Sequence, residues 1–89
     1  MQIREIAVTN PLGLHARASA KIVHAASRFR CSVSLVVEGR RASARSLLAI
    51  MLLSASAGTM VKLEVDGPEE AAAMHAITAL FEDGFGERS

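Results

Sequence analysis

From Cys31 to Val37 the chain reads Cys-Ser-Val-Ser-Leu-Val-Val, and no other stretch limits the fold so strongly. Successive side chains of a β-strand point to opposite faces, so apolar residues at every second position mark a strand with one face buried. Cys31, Val33, Leu35 and Val37 read as inward, and Ser32, Ser34 and Glu38 as outward. Glu38-Gly39-Arg40 is a tight-turn signal, which makes Arg41 to Ala44 the hairpin partner. The same alternation recurs at Val61, Leu63 and Val65, with Lys62, Glu64 and Asp66 outward. A looser strand is expected from Gln2 to Thr9, with Ile6 and Val8 on one face and Thr9-Asn10-Pro11 ending it.

Between these strands the period changes. From Ala16 to about Ser27, residues Ser19, Ile22, Val23 and Ala26 fall at i, i+3, i+4 and i+7, the spacing of one helix face, and Phe29 closes that face. Ser46 opens a second helix. Asp66-Gly67-Pro68-Glu69-Glu70 offers a proline suited to the first helical position and acids suited to the positive end of a third helix. Ala73, Ile77, Leu80 and Phe81 form its apolar face, and Gly84 can terminate it. The order is strand, helix, strand, strand, helix, strand, helix. It predicts an α+β fold in which three helices cover one face of a four-stranded antiparallel sheet. At 89 residues the chain is one domain, 1–89, and with three Phe and no Trp or Tyr its core must be built from Val, Ile, Leu, Met and Ala.

Charge and residue usage exclude several functions. Ten Lys+Arg against nine Asp+Glu leave a net charge of +1, far from the basic excess of proteins that bind nucleic acid through phosphates. No nucleic-acid partner is expected. The start, Met1-Gln2-Ile3-Arg4-Glu5, carries charges where a signal peptide needs an apolar core, and the single Cys31 permits no internal disulfide. The apolar run Leu47 to Leu53 is far short of the ~20 residues that span a bilayer. A cytoplasmic protein without membrane insertion is expected. His15 and His24 are nine residues apart, about 180° around a helix, and cannot clamp one metal. Neither a metal nor another cofactor is expected. His24 reads as an exposed helix residue near a docking surface, His75 as solvated, and Cys31 as an inert small hydrophobe.

The chemistry is concentrated in Gly13-Leu14-His15-Ala16-Arg17-Ala18-Ser19-Ala20-Lys21, where a turn delivers a histidine to a helix start. Unpaired N–H donors and about half a positive charge at that end favour an anion and bias the imidazole towards its neutral, nucleophilic form. The dipole is worth roughly 0.3–1 kcal/mol at an exposed site. Stabilising a phosphorylated product therefore matters more than any shift in the ring. Arg17 can fork onto phosphate oxygens beside the N–H groups of Ala16, Arg17 and Ala18, completing a phosphohistidine cradle. A plainer reading also fits: His15 caps the helix and Arg17 is a solvated charge.

Two further features carry alternatives. Ser46-Leu47-Leu48-Ala49-Ile50-Met51-Leu52-Leu53 is apolar almost all round, with Leu47, Leu48 and Met51 on one side and Ala49, Ile50 and Leu53 nearly opposite. One set is a partner-docking surface, grouped with Ala20 of the first helix, unless tighter burial or dimerisation covers it. Ser46 sits where an N-cap is expected. Arg40, Arg41 and Arg45 are either a solvated face or a means of steering acidic partners.

Gly13-Leu14-His15-Ala16-Arg17, Arg45-Ser46-Leu47-Leu48, Gly58-Thr59 and Asp66-Gly67-Pro68 together resemble the HPr family, the histidine phosphocarriers of the bacterial phosphoenolpyruvate-dependent phosphotransferase system. The resemblance covers nearly the whole chain. It implies an open-faced β-sandwich, phosphorylation of His15 on Nδ1 by enzyme I, and onward transfer to enzyme IIA proteins. It also implies Ser46 as a regulatory phosphorylation site, with an HPr kinase/phosphorylase as partner there, and a monomer. Ala18 departs from the proline common in the motif; it adds a backbone donor in the first turn. The ending Leu80 to Gly86 is similar to proteobacterial members, including the nitrogen-related branch. Three function classes follow: a phosphocarrier without independent catalysis, a regulatory docking module of the same fold, and a small enzyme using His15 as general base. The third lacks a second acid, base or metal cluster.

Overall fold

The computed structural model describes residues 1–87. Its elements are β1 (Gln2–Ala7), α1 (Ala16–Ser27), β2 (Ser32–Val37), β3 (Arg40–Ser43), α2 (Leu47–Leu52), β4 (Met60–Asp66) and α3 (Glu70–Glu82), followed by a 3-10 turn at Gly84–Gly86. The strands form one antiparallel sheet in the order β1-β4-β2-β3. Alternation sets its two faces. Val33 lies opposite Val65 and Leu35 opposite Leu63, and these residues with Val37 and Val61 are buried under the helices. The intervening Ser32, Ser34, Lys62 and Glu64 occupy the uncovered face, where Arg41 pairs with Glu64 and holds that carboxyl below the usual range.

The β2–β3 connection is a two-residue hairpin, with Val37 paired to Arg40. Glu38 and Gly39 have φ of 51° and 78°, the backbone of a type I′ turn, whose twist matches that of the flanking strands. The return strand therefore begins one residue earlier than the sequence predicts and ends at Ser43.

Each helix buries one stripe. On α1 this is Ala18, Ser19, Ile22, Ala25 and Ala26, with Val23 at its edge rather than in it. On α3 it is Ala73, Met74, Ile77, Thr78 and Phe81, with Leu80 half-buried. Two sequence expectations need correction. Pro68 is not the first residue of α3: the chain turns through it, with Glu69 N–H bonded to the Arg30 carbonyl, and the helix starts at Glu70. The Glu70 carboxylate instead accepts the Gly67 N–H at 3.1 Å, supplying the anion at the helix start. Cys31 lies just ahead of β2 and is half-buried rather than inward; burial pushes its thiol pKa up, against the opposing charge of Arg45.

Among the described residues no helix is long and apolar enough to cross a membrane.

Candidate functional site

The approach to His15 is a folded loop. Asn10, only 2% exposed, donates through Nδ2 to the Gly13 carbonyl at 2.8 Å, and Gly13 N–H returns to the Asn10 carbonyl at 3.2 Å. Gly13 has φ of +67°, and a Cβ there would lie 2.9 Å from Ser56 Cα and nearer still to the Ala55 carbonyl oxygen. Both constraints call for glycine. The turn is thereby pressed against the α2–β4 loop, where Leu14 N–H donates to Ala55 O at 2.9 Å and the Leu14 side chain is buried. Ser19 Oγ, also buried, ties back to Leu14 O at 3.0 Å.

His15 is the N-cap of α1, with φ −72° and ψ −176°. Its carbonyl accepts Ser19 N–H at 2.9 Å, and its Nδ1 accepts Arg17 N–H at 3.3 Å. The N–H groups of Ala16 and Ala18 have no protein acceptor among the described residues. On the opposite side of the ring, Nε2 lies 2.6 Å from Glu87 Oε2. Because Nδ1 accepts, the hydrogen bonds assign the proton to Nε2, which donates to the carboxylate. Glu87 Oε2 also accepts from Asn10 Nδ2 at 2.7 Å, and Oε1 lies 3.5 Å from Leu12 N. The bond from His15 is the main reason the Glu87 carboxyl sits below its ordinary pKa; burial opposes the shift, while Asn10 and Leu12 add to it.

Arg17 brings its backbone, not its guanidinium, to His15. The side chain is exposed and lines a groove of about 370 Å³ along α1, together with Ala20, Lys21, His24, Arg28 and Leu80. Ala18 is fully buried, backbone N–H included, so of the three residues the sequence assigns to phosphate only Ala16 and Arg17 are open to an anion in this arrangement. His24 and His75 are both exposed.

On α2, Ser46 Oγ accepts Ala49 N–H at 3.1 Å, the bond of an N-cap. Ile50 and Leu53 face the core, while Leu47, Leu48, Met51 and Leu52 remain 42%, 65%, 37% and 65% exposed. Leu52 lies about 40° from Leu48 around the helix and belongs to the same surface, although the sequence grouping omits it. The three arginines are exposed yet engaged in the fold. Arg40 donates to the Leu52 and Leu53 carbonyls at the end of α2, Arg41 pairs with Glu64, and Arg45 donates to the Phe29 and Cys31 carbonyls.

Sequence reasoning missed Asn10 and Glu87 as site residues. The available signal was Gly84-Phe85-Gly86: an aromatic between glycines just past a helix is a plausible anchor, and the next residue is an acid.

Residues 3–83 match the family described as PTS HPr component phosphorylation site. A phosphocarrier protein HPr of Xylella fastidiosa is 47% identical over 83 residues, covering 93% of each chain. A phosphocarrier protein NPr of Proteus mirabilis is 39% identical over 87 residues, covering 97% of each. The crystal structure of HPr from Thermoanaerobacter tengcongensis superposes with a TM-score of 0.95 at 36% identity over the whole of both chains. A structure described as an HPr dimer from the same organism gives a TM-score of 0.78 at 37% identity, covering 98% of this chain and all of that one.

Proposed function

Since the chain belongs to the HPr family of phosphocarrier proteins, we propose that His15 accepts a phosphoryl group on Nδ1 from phospho-enzyme I and passes it to enzyme IIA proteins. The observation that carries this reading is the placement of His15 at the N-cap of α1, with Nδ1 turned to the helix start 3.3 Å from Arg17 N. In the transfer, the Nδ1 lone pair forms the new N–P bond as the donor's N–P bond breaks, and that electron pair leaves with the donor nitrogen. The incoming group displaces the Arg17 N–H from Nδ1. That N–H, with that of exposed Ala16, then meets phosphoryl oxygens at the positive end of the helix. The Arg17 guanidinium is free of protein partners among the described residues and can swing onto the same oxygens. Catalysis remains with the partners, because the site supplies an acceptor and an anion cradle but no second acid or base at Nδ1.

Leu47, Leu48 and Met51 of α2, with Ala20 of α1, form the docking surface, and Leu52 extends it. The protein acts as a monomer in the cytoplasm, and an HPr kinase/phosphorylase modifies Ser46. Phosphate at Ser46 would meet the favourable end of the α2 dipole and impair docking through charge and desolvation beside Leu47.

The test is incubation with phosphoenolpyruvate and enzyme I, which is expected to give an acid-labile, base-stable adduct that His15→Ala eliminates. Arg17→Ala is expected to slow transfer while the fold stays intact. Persistence of the adduct in His15→Ala would overturn the assignment. A second reading, a regulatory module that works by docking, draws on the similarity to the Proteus mirabilis NPr. It predicts partner binding that survives His15→Ala with unchanged regulatory effect.

A further inference from the structure

Past the end of α3 the chain makes a strap that is more elaborate than a helix stop needs. Gly84, Phe85 and Gly86 take φ of 60°, 57° and 73° in succession, and a non-glycine residue is held at positive φ only where its surroundings compel it. Phe85 is 2% exposed and packs edge-on against Phe81 with ring centroids 4.9 Å apart. Lys21 of α1 donates to the Phe85 carbonyl at 2.6 Å. The aromatic plug and the lysine clamp both hold Phe85, and two residues on stands Glu87, whose carboxylate closes on His15 Nε2.

Asn10 completes the chain of contacts. Its Nδ2 donates both to Gly13 O and to Glu87 Oε2, the oxygen that also faces His15, while its Oδ1 is buried without a partner among the described residues. A buried amide oxygen left unpaired costs roughly 1–3 kcal/mol. Turning the amide over would instead set that oxygen against the Gly13 carbonyl and the Glu87 carboxylate. The orientation is therefore dictated by the acceptors, and the amide locks the turn before His15 to the strap behind it.

We propose that Glu87, oriented by Asn10 and delivered by the Gly84–Gly86 strap, is a positioning residue that keeps the His15 proton on Nε2 and so reserves Nδ1 as the phosphoryl acceptor. A neutral imidazole has one protonated and one bare nitrogen, and the partner of one ring nitrogen decides which is which. A carboxylate at 2.6 Å accepts and cannot donate, so the tautomer with the proton on Nδ1 would set two acceptors face to face. The proton stays on Nε2 throughout the transfer step described above. The inference rests on the phosphocarrier reading for its consequence, but its structural content is the state of the ring.

The test compares wild type, Glu87→Ala and Glu87→Gln by nitrogen-15 NMR of the unphosphorylated, neutral His15 ring, with the initial rate of phosphorylation measured alongside. Wild type is expected to show a protonated Nε2 and a bare Nδ1. Glu87→Ala is expected to show mixed tautomers in a protein that still folds, and to accept phosphate about tenfold more slowly, the lower end of the losses seen when the hydrogen-bond partner of a metal-ligating histidine is removed. In Glu87→Gln, Asn10 Nδ2 selects the amide oxygen, which still accepts from Nε2, so the tautomer and most of the rate return. A wild-type ring protonated on Nδ1, an alanine variant with the wild-type tautomer, or a glutamine variant as slow as alanine would each overturn the proposal. Absence of phosphorylation in wild type would defeat the phosphocarrier reading instead, while the ring spectra would still decide the role of Glu87.

Discussion

The two faces of α2 make opposite demands on the same six-residue helix, and Leu48→Glu beside Ile50→Ala separates them. Leu48 is 65% exposed and Ile50 fully buried. Complete burial of a leucine is worth roughly 1.5–3 kcal/mol, so the third of Leu48 already covered accounts for about 0.5–1 kcal/mol. Glutamate is nearly as good a helix former as leucine, and near the start of α2 its charge meets the favourable end of the dipole. Leu48→Glu is therefore expected to lower Tm by no more than about 8 °C, at 4–8 °C per kcal/mol for a domain of this size. Ile50→Ala removes core volume at a cost of about 2–5 kcal/mol and is expected to lower Tm by about 8 °C at the least. Binding reverses the order. Covering the exposed two-thirds of Leu48 in a complex is worth about 1–2 kcal/mol, so its loss weakens enzyme I affinity about 5- to 30-fold before the cost of burying a carboxylate is added. Calorimetric melting and titration of both variants check this. A Leu48→Glu protein that melts as early as Ile50→Ala, or that binds enzyme I with unchanged affinity, would refute the reading of that face.

Three further outcomes are expected. Ser46→Ala removes the oxygen that accepts Ala49 N–H and is expected to cost about 1 kcal/mol, whereas Ser46→Asp keeps an acceptor and adds favourable charge, so by melting curve it is as stable as wild type or slightly more so while phosphoryl transfer slows. A Ser46→Asp protein that melts early, or accepts phosphate at the unmodified rate, would leave Ser46 only a cap. Gly13→Ala forces a side chain into left-handed backbone at about 1–2 kcal/mol and drives its Cβ into the Ala55 carbonyl, so Tm is expected to fall by at least about 4 °C and His15 phosphorylation to slow; an unchanged Tm would contradict the packing of that turn. The Glu87 carboxyl has its pKa depressed in the folded state, so its contribution is complete above the unfolded value of about 4.3 and is lost as pH falls through the folded value. The carbon-13 signal of the Glu87 side-chain carboxyl is expected to reach its protonated position only below that unfolded value, and a protonated carboxyl at or above it would contradict the assignment.

The features readable in the sequence are those set by neighbours along the chain. Alternation in β2 and β4 specified which residues face the core because a strand has only two faces, and the Glu38-Gly39 signal located the hairpin to within one residue. His15 was placed at the start of α1 by the turn before it and the helical period after it. Long-range contacts left no such trace. Asn10 and Glu87 are 77 residues apart and meet only because α3 returns the chain across α1 and the strap turns it back. Arg40, Arg41 and Arg45 look like a charge cluster in sequence, yet each reaches a different element: the end of α2, strand β4 and the α1–β2 loop. Pro68 was misplaced because the Arg30 carbonyl captures the Glu69 N–H and delays the helix.

The central claim is that His15 carries the phosphoryl group on Nδ1, the nitrogen facing the helix start, rather than on Nε2, which faces Glu87. Phosphorus–nitrogen coupling in the phosphorylated, nitrogen-15-labelled protein tests it directly. The expected spectrum couples phosphorus to Nδ1 of His15 and leaves a proton on Nε2. Coupling to Nε2, or to a nitrogen of His24 or His75, would contradict the account.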